Sequence, residues 1–438
     1  MRAAAKSRFG PLALVLSALV VLYGIAYVTR PAPSPARAAE PRKVAVEAAT
    51  AVCPGTRGAS VSVYLPGTLS RETIKDAKPY VVTGPGGLEA GYTTRVTRGG
   101  ERGLAGVRCA EPAAETWLVG PGPAAARVTL HLVNPGKAAA LADVTVFAAE
   151  GLVSGDKGLG LEIGPGEHRA IDLRTLAPSA DVMAVGVTAV TGRLAVAARA
   201  SVESGGVDWL PAAAPPATRV VVPGIPGGGG RRELLIAAPG ESDATVQIRA
   251  VTQGADYAMK GRETVDVPAG GVLSIDVTTG IGGESAGLVL TSTAPIVAGL
   301  VITGTGEQSD VAFTAGTPPL DLGSAVAGNG AGARLVLTAP GPAGGPAGRV
   351  RVQVVPEGGE AQPPFEVEVP TGRTKDVPVR ARGVYGIVVT PVAGRVYGGR
   401  VLAERSRSGL LITTQPLAQA RIWTMLPELA DTSRAVLP

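Results

Sequence analysis

Aromatic residues are scarce in this 438-residue chain: 3 Trp, 8 Tyr and 4 Phe make up only 3% of it. Large rings supply much of the apolar area that each side chain buries in ordinary cores. Any core here must instead be assembled from many small contributions. Histidine is scarcer still. His131 and His168 are the only two, and both precede the single G-x-S-x-G stretch, Gly283-Glu284-Ser285-Ala286-Gly287. In α/β-hydrolases the histidine follows the serine, and the serine sits between a strand and a helix. Here Leu288-Val289-Leu290 reads as a strand, so the stretch is an ordinary loop and the two histidines are solvated surface side chains. Two cysteines, Cys53 and Cys109, have no further Cys or His at ligand spacing, which argues against a metal centre. No cofactor motif stands in for one. The glycine runs at 227–230 and 328–332 precede strands, whereas a phosphate cradle needs a helix N-terminus; they read as flexible connections between modules. Asp156, Glu162 and Glu167 are solvated acids, and no pair of carboxylates stands out. Nothing in these patterns calls for an enzyme or a cofactor.

Charge is thin as well, at 18% of residues, and its sign misleads. The net +5 includes four basic and no acidic residues within positions 1–30, which leaves +1 for residues 31–438 and no case for a nucleic-acid partner. Residues 44–320 hold 21 basic and 26 acidic side chains, and residues 321–429 hold 12 and 8. The positive end is the last quarter of the chain. Arg380 and Arg382 share a strand face, and Arg395, Arg400, Arg405 and Arg407 fall on a closing hairpin. Guanidinium forks suit carboxylate or phosphate groups, so these six make a candidate surface for an anionic partner.

One long hydrophobic run is present. Phe9 to Val28 carries no charge, follows Arg2, Lys6 and Arg8, and at about 1.5 Å per residue matches a hydrocarbon core of about 30 Å. This predicts a cytoplasmic stub at 1–8, a transmembrane signal anchor at 9–28 and a Pro-rich stalk at 29–43. The body would then lie outside the cell, or be secreted if cut after Ala38. In such a compartment Cys53 and Cys109 form a disulfide.

What fills the rest is a repeat. Leu130-His131-Leu132-Val133-Asn134-Pro135-Gly136 is matched by Leu234-Leu235-Ile236-Ala237-Ala238-Pro239-Gly240 and by Leu335-Val336-Leu337-Thr338-Ala339-Pro340-Gly341. A spacing of about a hundred residues is the size of a β-sandwich rather than of a solenoid unit. After each copy comes a strictly alternating strand, such as Val350-Arg351-Val352-Gln353-Val354, then a strand–glycine turn–strand unit, then a final hairpin, seen as residues 287–293 paired with 296–304. The expectation is an all-β chain of tandem immunoglobulin-like β-sandwich repeats after the N-terminal helix. Its parts are a disulfide-closed β-region at 44–112 and repeats at 113–216, 217–320 and 321–438, strung as a rod. Trp117, Trp209 and Trp423 fill cores or junctions, or else offer stacking platforms for sugars.

Cys53-Pro54-Gly55, Arg108-Cys109-Ala110-Glu111-Pro112, Trp117-Leu118-Val119-Gly120 and the Leu-x-Asn-Pro-Gly strand resemble a family of actinobacterial envelope proteins of unknown function. The resemblance covers most of residues 50–430. It implies a membrane-anchored or secreted protein with tandem β-domains and carries no catalytic residues. The functional expectation is a non-catalytic extracytoplasmic scaffold, adhesion or assembly protein of the envelope, its partners the membrane, an envelope protein or an anionic wall polymer. The alternatives are a glycan-binding module array and an envelope hydrolase.

Overall fold

The computed structural model describes residues 10–29, 42–55, 58–153, 155–203, 205–305, 309–406, 409–420 and 423–426. The stub at 1–8, the Pro-rich part of the stalk, the cleavage point after Ala38 and Arg407 lie outside them. Two compact units are present: residues 1–44 with 424–438, and residues 45–423. The first contains the helix Gly10–Val28 and all but one residue of each strand in the pair Arg42–Ala45 with Trp423–Leu426. Among the described residues no helix is long and apolar enough to cross a membrane. That finding overturns the expected single-pass anchor, and the cytoplasmic and exterior placements drawn from the anchor lose their basis.

The second unit is all-β. In the first repeat one sheet runs Leu161–Ile163, Ala140–Ala148, Val182–Thr191, Glu115–Pro121, and the other runs His168–Asp172, Ala126–Val133, Ala195–Val202, Gly206–Leu210. Numbered along the chain, these eight strands are ordered 4-3-6-1 and 5-2-7-8, and every neighbour is antiparallel. The second repeat has the same order. Its first sheet is Thr264–Val267, Ala244–Thr252, the front half of Ala286–Thr303 and Ala217–Ile225; its other is Val272–Asp276, Arg232–Ala237, the back half of Ala286–Thr303 and Val311–Ala315. The third repeats it again, with Phe365–Val369, Gly348–Pro356, Tyr385–Ala393, Ser324–Asn329 facing Arg373–Pro378, Ala333–Ala339, Tyr397–Ser406, Gly409–Pro416.

Two details depart from expectation. The predicted closing hairpin of the second repeat is one 18-residue strand, Ala286–Thr303, that passes from the first sheet into the second. Strands six and seven therefore lie in opposite sheets in all three copies, whereas an immunoglobulin sandwich keeps its C, F and G strands together. Further, residues 45–112 are more than an appendage. Ala49–Cys53 pairs with Tyr80–Gly84 as strands one and six, and Thr68–Thr73, Ser60–Leu65, Glu89–Val96, Gly103–Arg108 reproduce the order 5-2-7-8. Strands three and four are missing, because the Pro66-Gly67 turn joins strand two directly to strand five. The chain thus holds four copies of one topology, the first abbreviated.

Local chemistry accounts for the common plan. Strand three buries alternate small apolar residues, as in Val246, Ile248 and Ala250 or Val350, Val352 and Val354, with polar residues between them facing away. The crossing from strand four to strand five needs a left-handed residue, and glycine supplies it at the same place each time: Gly166, Gly270 and Gly372 have φ of 68°, 69° and 72°. Their amides donate to the carbonyls of Asn134, Ala238 and Ala339 at 2.8, 2.7 and 2.8 Å. The repeated Asn/Ala-Pro-Gly corner is one half of that contact.

The modules close on themselves. Strand one of each packs on strands two and seven of the next: Val52 on Val133 and Ala195, Trp117 and Val119 on Leu235 and Val297, Val221 on Tyr397, and Ala325 and Ala327 back on Tyr64 of the abbreviated module. Four heterologous contacts of one kind that return to the start make a ring. Residues 45–423 are therefore a closed arrangement and not a rod. The four eighth strands meet at its centre, where Gly103–Arg108 and Val311–Ala315 each pack against both Gly206–Leu210 and Gly409–Pro416. Between the second and third repeats the approach is backbone on backbone, and a Cβ on Gly399 would lie 2.5 Å from the Gly224 Cα. Gly399→Ala should lower stability by about 1–3 kcal/mol. Chemical denaturation checks it, and an unchanged midpoint would deny that this junction is closely packed.

Candidate functional site

The densest set of polar groups lies on the ring axis. Asp208 and Asp310 are both 0% exposed and Arg400 is 1% exposed. Asp208 belongs to the first repeat, yet its Oδ1 accepts hydrogen bonds from the Gly106 amide of the abbreviated module at 2.9 Å and the Thr413 hydroxyl of the third repeat at 3.1 Å. Asp310 closes the second repeat, and its Oδ2 accepts from the Leu104 amide at 3.1 Å and the Ile412 amide at 2.8 Å. Each carboxylate therefore ties its own module to two others. Thr414 donates to the Phe313 carbonyl at 2.6 Å, and Arg400 donates to Gln415 Oε1 at 2.9 Å.

Burial pushes both acids upward, Asp208 well above the usual carboxylate range and Asp310 to about 6, against the opposing pull of the donated hydrogen bonds. Burial lowers Arg400 to about 10, opposed by the nearby Asp208 and Tyr385. The axis is a buried structural joint in which Asp208 Oδ1 and both oxygens of Asp310 accept hydrogen bonds, while Asp208 Oδ2 has no partner. Arg400 was expected on an outer surface for anionic partners. Its strand, Tyr397–Ser406, is strand seven of the third repeat, and alternation turns residue 400 toward the centre. It is withdrawn from the candidate surface.

The other expected arginines stay outside. Arg380, Arg382, Arg395 and Arg405 are exposed. Arg380 and Arg382 follow strand Arg373–Pro378 in a loop and do not share a strand face, and Arg395 sits in the turn before strand seven. Several other arginines are engaged by acids: Arg95 by Glu404 at 2.7 Å, Arg249 by Asp256 at 2.8 Å, and Arg334 by Asp376 at 2.6 Å. Among the described residues, Arg380, Arg382, Arg395 and Arg405 have no ion-pair partner.

Cys53 and Cys109 form the expected disulfide, which joins strand one to the end of strand eight across the abbreviated sandwich. Beside it Arg108 grips the buried Glu89 through two hydrogen bonds of 2.6 and 2.5 Å. The histidines, expected to be separate and solvated, stack on each other with 5.2 Å between ring centroids and a 2.9 Å Nδ1–Nε2 contact. His131 also lies 5.4 Å from Trp209, whose ring meets Tyr92 edge-on at 6.4 Å. Burial, then the neighbouring charges of His168 and Arg199, lowers His131 to about 4. Strand pairing brings the two together, since His131 is opposite Ala170 and His168 is opposite Val133. No local sequence signal reports that crossing.

Trp117 and Trp209 are buried at junctions, and the side chain of Trp423 lies outside the described residues. Ser285 is buried and donates to Asp376 Oδ2 at 2.8 Å while accepting from the Gly227 amide at 3.0 Å, a tie between the second and third repeats with a strand beginning at Ala286. Gly328 and Asn329 likewise end a strand, where the Asn329 side chain donates to the Val326 and Tyr385 carbonyls at 2.8 and 3.1 Å, so that run is no flexible connector. Among the described residues no group of three or more His, Cys, Asp or Glu could hold a metal ion.

The chain belongs to a family of unknown function (DUF5719), which it matches over residues 68–380. No curated protein matches it. Among solved structures, an α-L-rhamnosidase of Streptomyces avermitilis complexed with L-rhamnose is 11% identical over 87% of this chain and 57% of that one, with a TM-score of 0.12. The chain thus spans 57% of that enzyme's length, and so low a score relates neither fold nor activity.

Asp310 binds its proton more tightly folded than unfolded, so its contribution to stability is full below about pH 4 and lost as pH rises to about 6. His131 acts oppositely: its contribution is present above about pH 6.5 and lost as pH falls to about 4. In a pH series of denaturation curves, His131→Leu should gain stability relative to the native protein as pH falls through this window. Asp310→Asn should gain as pH rises through it; parallel curves would remove both groups from the linkage. Replacing Cys53 and Cys109 by Ser together should cost about 2–4 kcal/mol by the same measurement.

Proposed function

We propose that this member of the family is a non-catalytic scaffold or assembly protein that works where disulfides form and binds an anionic partner through the outer face of its third repeat. The observation that carries this reading is the contrast between the exposed, unpaired Arg380, Arg382, Arg395 and Arg405 and the buried axis, where Asp208 and Asp310 accept bonds that hold the modules together. Guanidinium groups held without carboxylate partners remain available for phosphate or carboxylate groups on another molecule. The resemblance to actinobacterial envelope proteins favours an envelope polymer or acidic envelope protein as that molecule. A glycan-binding array loses two of its three possible stacking platforms, since Trp117 and Trp209 are buried.

The full chain should be retained on immobilised polyglutamate and on an anionic wall-polymer fraction at low salt, and released as ionic strength approaches about 0.5 M. Changing the four arginines to alanine should abolish retention without shifting the denaturation midpoint. Retention that survives both the substitutions and the salt would sink the proposal.

A further inference from the structure

One junction of the ring lacks a part that the other three possess. Where a module has strand three, that strand or a residue within two positions of its end reaches strand five of the next module. Phe147 packs with Val272, the Thr374 hydroxyl donates to the Val251 carbonyl at 2.6 Å, and the Gly358 amide donates to the Leu69 carbonyl at 3.1 Å. The three receiving positions are equivalent, since Val272, Thr374 and Leu69 lie opposite Ala237, Thr338 and Tyr64 of their own second strands. At the fourth junction the receiving residue is His168, opposite Val133, and the abbreviated module has no strand three to send.

The same omission leaves a strand edge open. In the repeats strand six is bonded on both sides, by strands one and three, but Tyr80–Gly84 pairs only with Ala49–Cys53 among the described residues. The direction of its free groups follows from the register. Val52 exchanges both backbone hydrogen bonds with Ala110, at 2.8 and 2.9 Å, so its pairing with Val81 is the non-bonded kind. The N–H and C=O of Val81, and by alternation those of Thr83, point to the open edge. Val81 is 48% exposed, unusual for an apolar residue in a sheet whose three counterparts are covered.

We propose that this edge is a docking site for an extended segment of another protein, which adds as the missing third strand antiparallel to Tyr80–Gly84 and extends toward the His131–His168 stack. The occupant's chemistry is set by the three strands that fill this place elsewhere in the ring: β-branched or small apolar residues at alternate positions facing the core, polar residues between them, and an apolar group near the histidines. Backbone bonds to Val81 and Thr83 supply affinity and the alternation supplies specificity. The proposal is independent of the arginine face.

The test uses the full chain and a synthetic peptide copying residues 140–150, with amide exchange as the readout. The peptide should slow exchange at Val81 and Thr83 on the order of tenfold. The same peptide N-methylated at alternate residues should not, and Val81→Pro, which removes an outward donor, should weaken binding while leaving the disulfide intact. The idea fails if exchange at both amides stays fast at millimolar peptide, or is already slow without peptide at every protein concentration, because the chain then covers its own edge. Slowing that tracks protein concentration without peptide would assign the edge to a second copy and overturn the heterologous partner.

Discussion

Two buried carboxylates hold four sheet modules to one axis. Asp208 and Asp310 each accept donors from two other modules, so neither can be satisfied unless the ring is closed. A buried carboxyl group left without donors costs several kcal/mol, and the same group supplied with donors from neighbouring modules becomes an organising contact. Burial raises the proton affinity of both acids, which shows that the donors offset only part of the desolvation.

Ring closure also explains the unequal construction of the modules. The many alanines and valines in these cores bury little area apiece. Each module recovers apolar contact by laying its first strand on the next module's second and seventh strands, and Trp117, Val119 and Val221 are buried in that way. The abbreviated module has the smallest sandwich, and it alone carries the disulfide, which links strand one of one sheet to the end of strand eight of the other. Its partnership with both the first and third repeats makes it the closing segment of the ring.

Much of the strand inventory was legible. Alternation in Val350 to Val354, the Pro-Gly corners and the glycine turns marked three sandwiches, and two cysteines with no further ligand near them pointed to a disulfide. An aspartate between Val207 and Trp209 in an otherwise apolar strand was a usable sign of a buried polar joint. The abbreviated copy was hidden because dropping two strands erases the hundred-residue period. Arg400 was misplaced because it was grouped with Arg395, Arg405 and Arg407 on one hairpin, while its facing is set by its position along strand seven.

Composition and periodicity by themselves determined that the body of this chain is built of repeated two-sheet β modules, because the period-two burial of small side chains is a property of each strand alone. Tertiary structure decided the rest: the sheet to which strands six and seven belong, the stacking of two histidines, the closure of four copies into a ring, and the open edge at Tyr80–Gly84. Those depend on contacts between residues tens to hundreds of positions apart, whose geometry no local pattern encodes.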